Sequence, residues 1–134
     1  MFETKAIMTT DVLTVKKQTP ISRVMEILLE NDVTGLPVVD DDMSLIGIIT
    51  EKDILKSLPD LETKILPNDS QHNSAMVEDF MAKEVVSFDQ EEDLIAICEC
   101  LIKNNFRRVP ILAKGKLVGI ISRRDIIKYI LEPI

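Results

Sequence analysis

Residues 45–54 read LIGIITEKDI, and residues 117–126 read LVGIISRRDI. In both stretches an apolar run with one glycine leads to a hydroxyl residue, and an aspartate follows three positions later. An apolar run rich in β-branched residues predicts a buried strand. A hydroxyl residue followed three positions later by an acid predicts the start of a helix. The same strand-to-helix junction therefore occurs twice. Such an internal repeat has to be identified before secondary structure and domains are assigned.

The repeat covers most of the chain. Upstream of these stretches the two copies align at an offset of 73 residues, and within them the offset is 72. The change falls in the polar turn 40–44, which corresponds to the shorter turn 113–116. One deletion at a predicted hairpin turn is what duplication followed by divergence leaves. The aligned pairs upstream are Met8 and Met81, Val12 and Val85, Thr14 and Ser87, Leu28 and Leu101, Asn31 and Asn104, and Pro37 and Pro110.

Each copy predicts the element order β-α-β-β-α, which places the fold in the mixed α/β class, of the α+β type. Proline in the first turn marks the start of the first long helix. The first copy is predicted to hold a strand at 13–15, a helix that starts at Thr19–Pro20, strands at 36–39 and 45–49, and a helix at 51–58. The second copy is predicted to hold a strand at 85–88, a helix through 94–102, strands at 109–112 and 117–121, and a helix at 123–131.

The predicted organisation is one module, 1–134, with repeat one at 5–58, a polar linker at 59–75 and repeat two at 76–132. Each repeat is too small to bury much surface alone, and its hairpin is apolar on both faces. We therefore expect the repeats to pack sheet to sheet about a pseudo-twofold axis, with two equivalent clefts where they meet.

Composition argues against several classes of protein. The chain has 134 residues, of which 46% are hydrophobic and 29% charged, a globular balance. Its net charge of −7 and isoelectric point of about 4.7 are unlike the basic character that holds a nucleic-acid backbone. No apolar run approaches the roughly 20 residues of a membrane helix, and residues 1–5 lack the character of a secretory signal. We expect a cytoplasmic protein with no nucleic-acid or membrane partner.

No residue pattern predicts catalysis or a metal site. Cys98 and Cys100 are too close in sequence to form a disulfide that stabilises the fold, and they lack the second ligand pair of a zinc site. The single histidine, His72, lies in the polar linker. Neither the P-loop nor the dinucleotide-binding glycine motif occurs. The sequence therefore predicts a protein that is not an enzyme and has no catalytic residue, metal ligand or cofactor.

The repeated residues resemble the cystathionine-β-synthase (CBS) domain. The first copy carries Met8, VLTV at 12–15, GLPVVD at 35–40 and GIITEKD at 47–53, and the second carries Met81, RRVPI at 107–111 and GIISRRD at 119–125. The chain is similar to the stand-alone two-repeat proteins of this family, the Bateman modules, whose modules usually pair into disc-shaped homodimers.

The resemblance implies a regulatory, energy-sensing module that binds AMP, ADP or ATP. The alternatives are a sensor of S-adenosylmethionine and a protein-interaction module without a ligand. A homodimer and a regulated partner protein are expected in each case, and the sequence does not identify that partner.

The resemblance also implies which residues bind the nucleotide. The aspartate accepts hydrogen bonds from the ribose hydroxyls, the threonine or serine contacts phosphate, and the adenine lies against the other repeat's first-strand region. One site would use Gly47, Ile48, Ile49, Thr50 and Asp53 with Val86, Arg107 and Arg108. The other would use Gly119, Ile120, Ile121, Ser122 and Asp125 with Leu13, Thr34 and Gly35.

Arginines distinguish the two copies. The second copy has Arg107–Arg108 where the first has Thr34–Gly35. Because guanidinium groups bind phosphate bidentately, we predict that the Thr50/Asp53 cleft is the stronger phosphate site. For Arg123, simple solvation and a functional role are equally expected. The predicted dimer contact is the helix face with Ile95, Ala96 and Cys100.

Overall fold

The computed structural model describes residues 3–59 and 75–132 and divides into two compact units. We call Leu13–Val85 the first unit, and Met1–Val12 together with Val86–Ile134 the second unit. The mixture of helices and small sheets confirms the predicted α+β class. The elements are α1 (Thr4–Ile7), α2 (Ile21–Asn31), β1 (Gly35–Val39), β2 (Leu45–Thr50), α3 (Glu51–Lys56), α4 (Val77–Phe80), β3 (Phe88–Asp89), α5 (Leu94–Lys103), β4 (Arg108–Ala113), β5 (Lys116–Ser122) and α6 (Arg123–Leu131).

In the first unit, β1 and β2 form the predicted antiparallel hairpin, with Gly35 opposite Thr50. The predicted strand at 13–15 is reduced to one bridge, in which Val15 pairs in parallel with Val38. Helix α2 begins directly after Pro20, as the sequence predicts. Its buried face packs on the hairpin in a core of Val15, Ile21, Val24, Leu28, Leu36, Val38, Ile49, Ile54, Ala75 and Val77.

In the second unit, β3, β4 and β5 form a three-stranded sheet in which β3 and β4 are parallel and β4 and β5 antiparallel. The strand predicted at 85–88 is only the two residues Phe88–Asp89. Helix α6 has the predicted bounds. The core consists of Ile7, Leu94, Ile97, Leu101, Val109, Ile111, Ile121 and Ile126.

Each unit contains a docked segment that comes from the start of the other sequence repeat. Residues 3–12 pack in the second unit, where the amides and carbonyls of Thr9 and Ile120 exchange hydrogen bonds of 2.8 and 2.9 Å. Residues 75–85 pack in the first unit, where Ala82 and Ile48 exchange the equivalent bonds, again of 2.8 and 2.9 Å. The compact units therefore have different boundaries from the sequence repeats, because the repeats are defined by sequence similarity alone.

A methionine of each docked segment lies against the glycine of the repeated motif. A Cβ atom on Gly119 would be 2.7 Å from Met8 Sδ and 3.0 Å from the Thr9 carbonyl oxygen. A Cβ atom on Gly47 would be 2.8 Å from both Met81 Sδ and the Ala82 carbonyl oxygen. The three distances below 3.0 Å mean that an added Cβ atom would displace a neighbouring atom, so the close docked segment is the first explanation for glycine at these two positions.

The linker prediction concerns residues that the structure does not describe. Most of the predicted linker 59–75, including His72, lies outside the described residues. Among the helices of the described residues, none is long and apolar enough to cross a membrane.

The docking contacts predict that replacing the two glycines by alanine destabilises the fold to different extents. Gly119→Ala is expected to lower the free energy of unfolding by about 1 kcal/mol, and Met8→Ala in the same chain should remove most of this penalty, because the closest atom ends a flexible side chain. Gly47→Ala is expected to cost about 2–3 kcal/mol, and Met81→Ala should not relieve it, because a backbone carbonyl stays in the way. Urea denaturation of the two double-mutant cycles measures both couplings.

Gly115→Asn serves as the control for these glycine variants. Gly115 has φ of +79° and no atom within 4 Å of an added Cβ, and asparagine tolerates this backbone conformation. Its stability should stay close to that of the original chain. Equal coupling energies in the two cycles would contradict the interpretation of the glycines.

Candidate functional site

Two strand-to-helix junctions form the candidate site, one in each unit. The first half-site consists of Thr34, Gly35, residues 47–50 and Asp53, and the second of Arg107, Arg108, residues 119–122 and Asp125. In each, a buried strand delivers a hydroxyl residue to the start of a helix. Each set of residues comes together within its own unit.

Both junctions are capping boxes, as the sequence predicts. In the first half-site, the Thr50 amide donates to Asp53 Oδ2 at 2.9 Å, and the Asp53 amide donates to Thr50 Oγ1 at 3.2 Å. In the second, the Ser122 amide donates to Asp125 Oδ2 at 2.9 Å, and the Asp125 amide donates to Ser122 Oγ at 3.0 Å. These reciprocal bonds satisfy amides that a helix start otherwise leaves unpaired.

The caps use only part of each carboxylate. Within residues 3–59 and 75–132, Oδ2 of Asp53 and Asp125 accepts hydrogen bonds, and Oδ1 accepts none. An ionised carboxylate accepts about four hydrogen bonds, and both aspartates are half-buried. Each helix start therefore presents one oriented oxygen that is able to accept hydrogen bonds from a hydroxyl-bearing ligand.

The two hydroxyl groups differ. Thr50 Oγ1 donates to Asp53 Oδ2 at 2.9 Å. Ser122 Oγ accepts from the Asp125 amide, and in the part of the chain described here it donates to no acceptor. The Ser122 hydroxyl is consequently available as a donor, whereas the Thr50 hydroxyl is already engaged.

The first amide of each helix is not available to a ligand. The Glu51 amide donates to the Thr34 carbonyl at 2.9 Å, and the Arg123 amide donates to the Arg107 carbonyl at 2.9 Å. These bonds join the helix start to the residue that leads into the first strand of the hairpin, β1 or β4. Phosphate binding at this position depends on side chains rather than on the first helical amide.

Strand register explains why the two half-sites carry different residues. Gly35 lies opposite Thr50, and Arg108 lies opposite Ser122. A Cβ atom on Gly35 would be 3.0 Å from the Thr50 methyl carbon. Serine has no such methyl group, so the second half-site accommodates a side chain at a position where, in the first, a Cβ atom would crowd the Thr50 methyl group.

The arginines in the second half-site and next to it have distinct environments. Arg108 is half-buried, and its Nε is a buried donor without a hydrogen-bond partner among the described residues. Arg107 and Arg124 are exposed. Arg123 is not simply solvated, because its guanidinium donates to the carbonyls of Leu101 and Phe106.

Several predicted contact residues belong to the core or to the surface. Ile49 and Ile121 are fully buried in the two cores, so only their backbone is able to reach a ligand. Ile48 and Ile120 are half-buried. Leu13 and Val86 are 44% and 45% exposed, which leaves apolar surface for a contact. Leu13 lies in the first unit and Val86 in the second. The combination of residues from both repeats stays a prediction.

Sequence reasoning missed two features of these junctions. Met8 and Met81 were recognised as aligned residues, but alignment does not show that each docks beside the motif of the other repeat. The contacts of Arg123 were also missed, since they join residues 17 to 22 positions apart in sequence.

The described residues contain no group of three or more histidine, cysteine or acidic side chains that could hold a metal ion. Cys98 and Cys100 are free thiols, both half-buried. Burial raises the pKa of the Cys98 thiol, which disfavours its reactive thiolate form at neutral pH.

Comparison with known proteins agrees with the repeated architecture. The Methanocaldococcus jannaschii protein MJ1225 is 33% identical over 126 residues, which are 94% of this chain and 42% of that relative, so the chain spans less than half of its length. The crystal structure of CBSX2 from Arabidopsis thaliana in complex with AMP superimposes with a TM-score of 0.82 at 28% identity, covering 98% of this chain and 97% of that one.

A second structure carries a different ligand. The CBS domain pair of protein MJ0100 in complex with 5′-methylthioadenosine and S-adenosyl-L-methionine superimposes with a TM-score of 0.76 at 25% identity, covering 96% of this chain and 99% of that one. The sequence model of the CBS domain matches residues 5–60 and again residues 77–132. With two matches over most of its length and the two capping-box junctions in place, this chain belongs to the CBS domain family, as a tandem pair of CBS domains.

Proposed function

We propose that this chain is a non-catalytic regulatory module that binds an adenine nucleotide through Asp53 and Asp125. The observation that carries the proposal is the capping box that recurs in both units. In each, the backbone fixes Oδ2 of the aspartate, and Oδ1 accepts no hydrogen bond from the described residues. A pair of neighbouring ribose hydroxyls supplies the donors that such an oxygen accepts.

The second half-site offers donors for a phosphate group. The Ser122 hydroxyl has no acceptor in the described part of the chain, and Arg108 Nε is buried without a partner there. A buried unsatisfied donor is uncommon in folded proteins, and an anionic oxygen would satisfy it with a charge-assisted hydrogen bond. The assignment of Arg107 and Arg108 to the ligand of Asp53 remains our prediction from sequence.

S-adenosylmethionine is the second candidate ligand, because the MJ0100 structure is in complex with it. This molecule has the same ribose diol but a sulfonium in place of the phosphate. The first half-site has Thr34 and Gly35 at the positions of the second half-site's arginine pair. With Arg107 and Arg108 assigned to the ligand of Asp53, the ligand of Asp125 meets Thr34 and Gly35, so a ligand without phosphate is expected beside Asp125 rather than beside Asp53.

As a regulatory module, the protein is proposed to act in the cytoplasm, as a homodimer that reports energy status to a partner. Ligand occupancy shifts a conformational equilibrium only when the ligand binds the two states unequally. The predicted dimer face on α5 has Ile95 at 63% exposure, beside half-buried Ala96 and Cys100. Apolar surface of this kind supports the proposed assembly.

Isosteric changes at the two aspartates test the proposal. Asp53→Asn and Asp125→Asn keep an oxygen that accepts from the capping amide, but remove the charge that strengthens hydrogen bonds from ribose. We expect AMP binding at the altered half-site to weaken about tenfold or more, since a hydrogen bond to a charged group is worth roughly 1.5–3 kcal/mol. Titration calorimetry with AMP measures the change.

Asp79→Asn is the matched control. Asp79 Oδ2 accepts from the Met76 amide at 3.1 Å at the start of α4, so this aspartate has the same capping contact outside both half-sites. The variant should bind AMP like the original chain. If Asp79→Asn weakened binding as much as the other two variants, the loss would reflect helix capping and not ribose recognition.

Thermal denaturation distinguishes the candidate functions. AMP, ADP or ATP at 100 times its dissociation constant is expected to stabilise the fold by about 2.7 kcal/mol. Stabilisation by S-adenosylmethionine alone would favour the second ligand. A transition unchanged by every adenine compound would favour a protein-interaction module, and turnover of a nucleotide by the purified protein would contradict the non-catalytic proposal.

A further inference from the structure

One arginine of the second unit holds a turn in place. Arg123 Nε donates to the Phe106 carbonyl at 2.7 Å, and its Nη2 donates to the Leu101 carbonyl at 2.9 Å and to Asn105 Oδ1 at 3.2 Å. The Arg123 amide also donates to the Arg107 carbonyl at 2.9 Å. We call this set of four contacts the Arg123 clamp.

The clamp lies on the turn that leads from α5 to β4. Helix α5 ends at Lys103, and Asn105 then adopts φ of +54°, a left-handed conformation that is unfavourable for most side chains. This turn directs the chain into Arg107 and Arg108. Because the guanidinium bonds to residues on both sides of the turn, it fixes the path by which the two arginines reach the start of β4. Its positive charge also suits the carbonyl end of α5.

The first unit has the same turn without the side-chain contacts of the clamp. Asp32 ends α2 with φ of +51°, and the Glu51 amide donates to the Thr34 carbonyl, which matches the bond of the Arg123 amide. Glu51 aligns with Arg123, but its carboxylate has no donor for the carbonyls of the turn. The residues that follow this turn are Thr34 and Gly35, so the unit without the clamp also lacks the arginine pair.

From this correlation we infer that Arg123 is a positioning residue, which orders Arg107 and Arg108 to receive the phosphate of the ligand. The inference rests on the proposed nucleotide binding and adds a residue that does not touch the ligand. Immobilising a long side chain on binding costs free energy, and a turn fixed in advance lowers that cost. Nε and Nη2 of Arg123 donate to carbonyl and amide oxygens, and in this inference Arg123 acts through the neighbours that it holds.

Selectivity for phosphate separates positioning from a purely structural role. Calorimetry of the full chain is carried out with adenosine and with AMP, and the ratio of the two dissociation constants is the readout. Arg123→Met is expected to reduce the preference for AMP over adenosine about fivefold, with adenosine affinity nearly unchanged. Arg124→Met is the matched control, because it removes the same charge from the next residue of α6, which is exposed and has no partner among the described residues.

Each outcome decides the inference. A lower thermal midpoint in Arg123→Met with an unchanged ratio would mean that the clamp only stabilises the fold, and an equal loss in Arg124→Met would mean that net charge alone matters. Both results overturn the inference and leave the proposed function intact. An original chain that binds neither compound overturns both. Should Arg123→Met fail to fold, Arg123→Lys keeps the charge but not the planar fork, and must still lower the ratio.

Discussion

The structure depends on the hydrogen bonds between Thr9 and Ile120 and between Ala82 and Ile48. Each pair joins a docked segment to the outer edge of a hairpin, which would otherwise present unpaired amides and carbonyls. The segments are short, and helices of four residues are not stable by themselves. They are held by the sheet edge, by the adjacent methionine and by buried residues such as Ile7 and Val77. The repeated motif must therefore serve two partners: its glycine admits the methionine, and its hydroxyl and aspartate begin the next helix.

The capping box combines stability with recognition because a carboxylate has two oxygens. One oxygen closes the helix start at Asp53 or Asp125, and this bond orients the other oxygen without consuming it. A side chain fixed by its own backbone contacts loses little freedom when a ligand binds. The same residue pair therefore explains the local fold in both units and supports the proposed ribose contact. The two arginines also have different roles, since Arg123 donates to carbonyls, whereas Arg108 Nε has no hydrogen-bond partner in the part of the chain that the structure describes.

Much of this fold could be predicted from sequence because its strongest signals are local. The hairpins follow from two apolar runs around a polar turn, and α6 was predicted with its observed bounds because a capping box marks its start. The short strand at 13–15 was overestimated, since isolated apolar residues do not show how many of them pair. The docked segments could not be predicted, because their partners lie more than 30 residues away in sequence and their helices are too short to leave a periodic pattern. At the candidate site, the residue types were predictable from sequence. Which carboxylate oxygen and which guanidinium nitrogen form hydrogen bonds is seen only in the structure.

Divergence between the two half-sites involves pairs of positions rather than single residues. At the position of Arg108 the first unit has Gly35, where a Cβ atom would already approach the Thr50 methyl carbon to 3.0 Å. An arginine at position 35 would consequently require serine at position 50, or a shift of the strand pair. In the second unit, Ser122 provides that space, and Arg123 at the next position fixes the turn that precedes Arg107. Charge, side-chain volume and turn contacts therefore differ together between the units. We expect that exchanging one residue between the half-sites does not transfer all three differences.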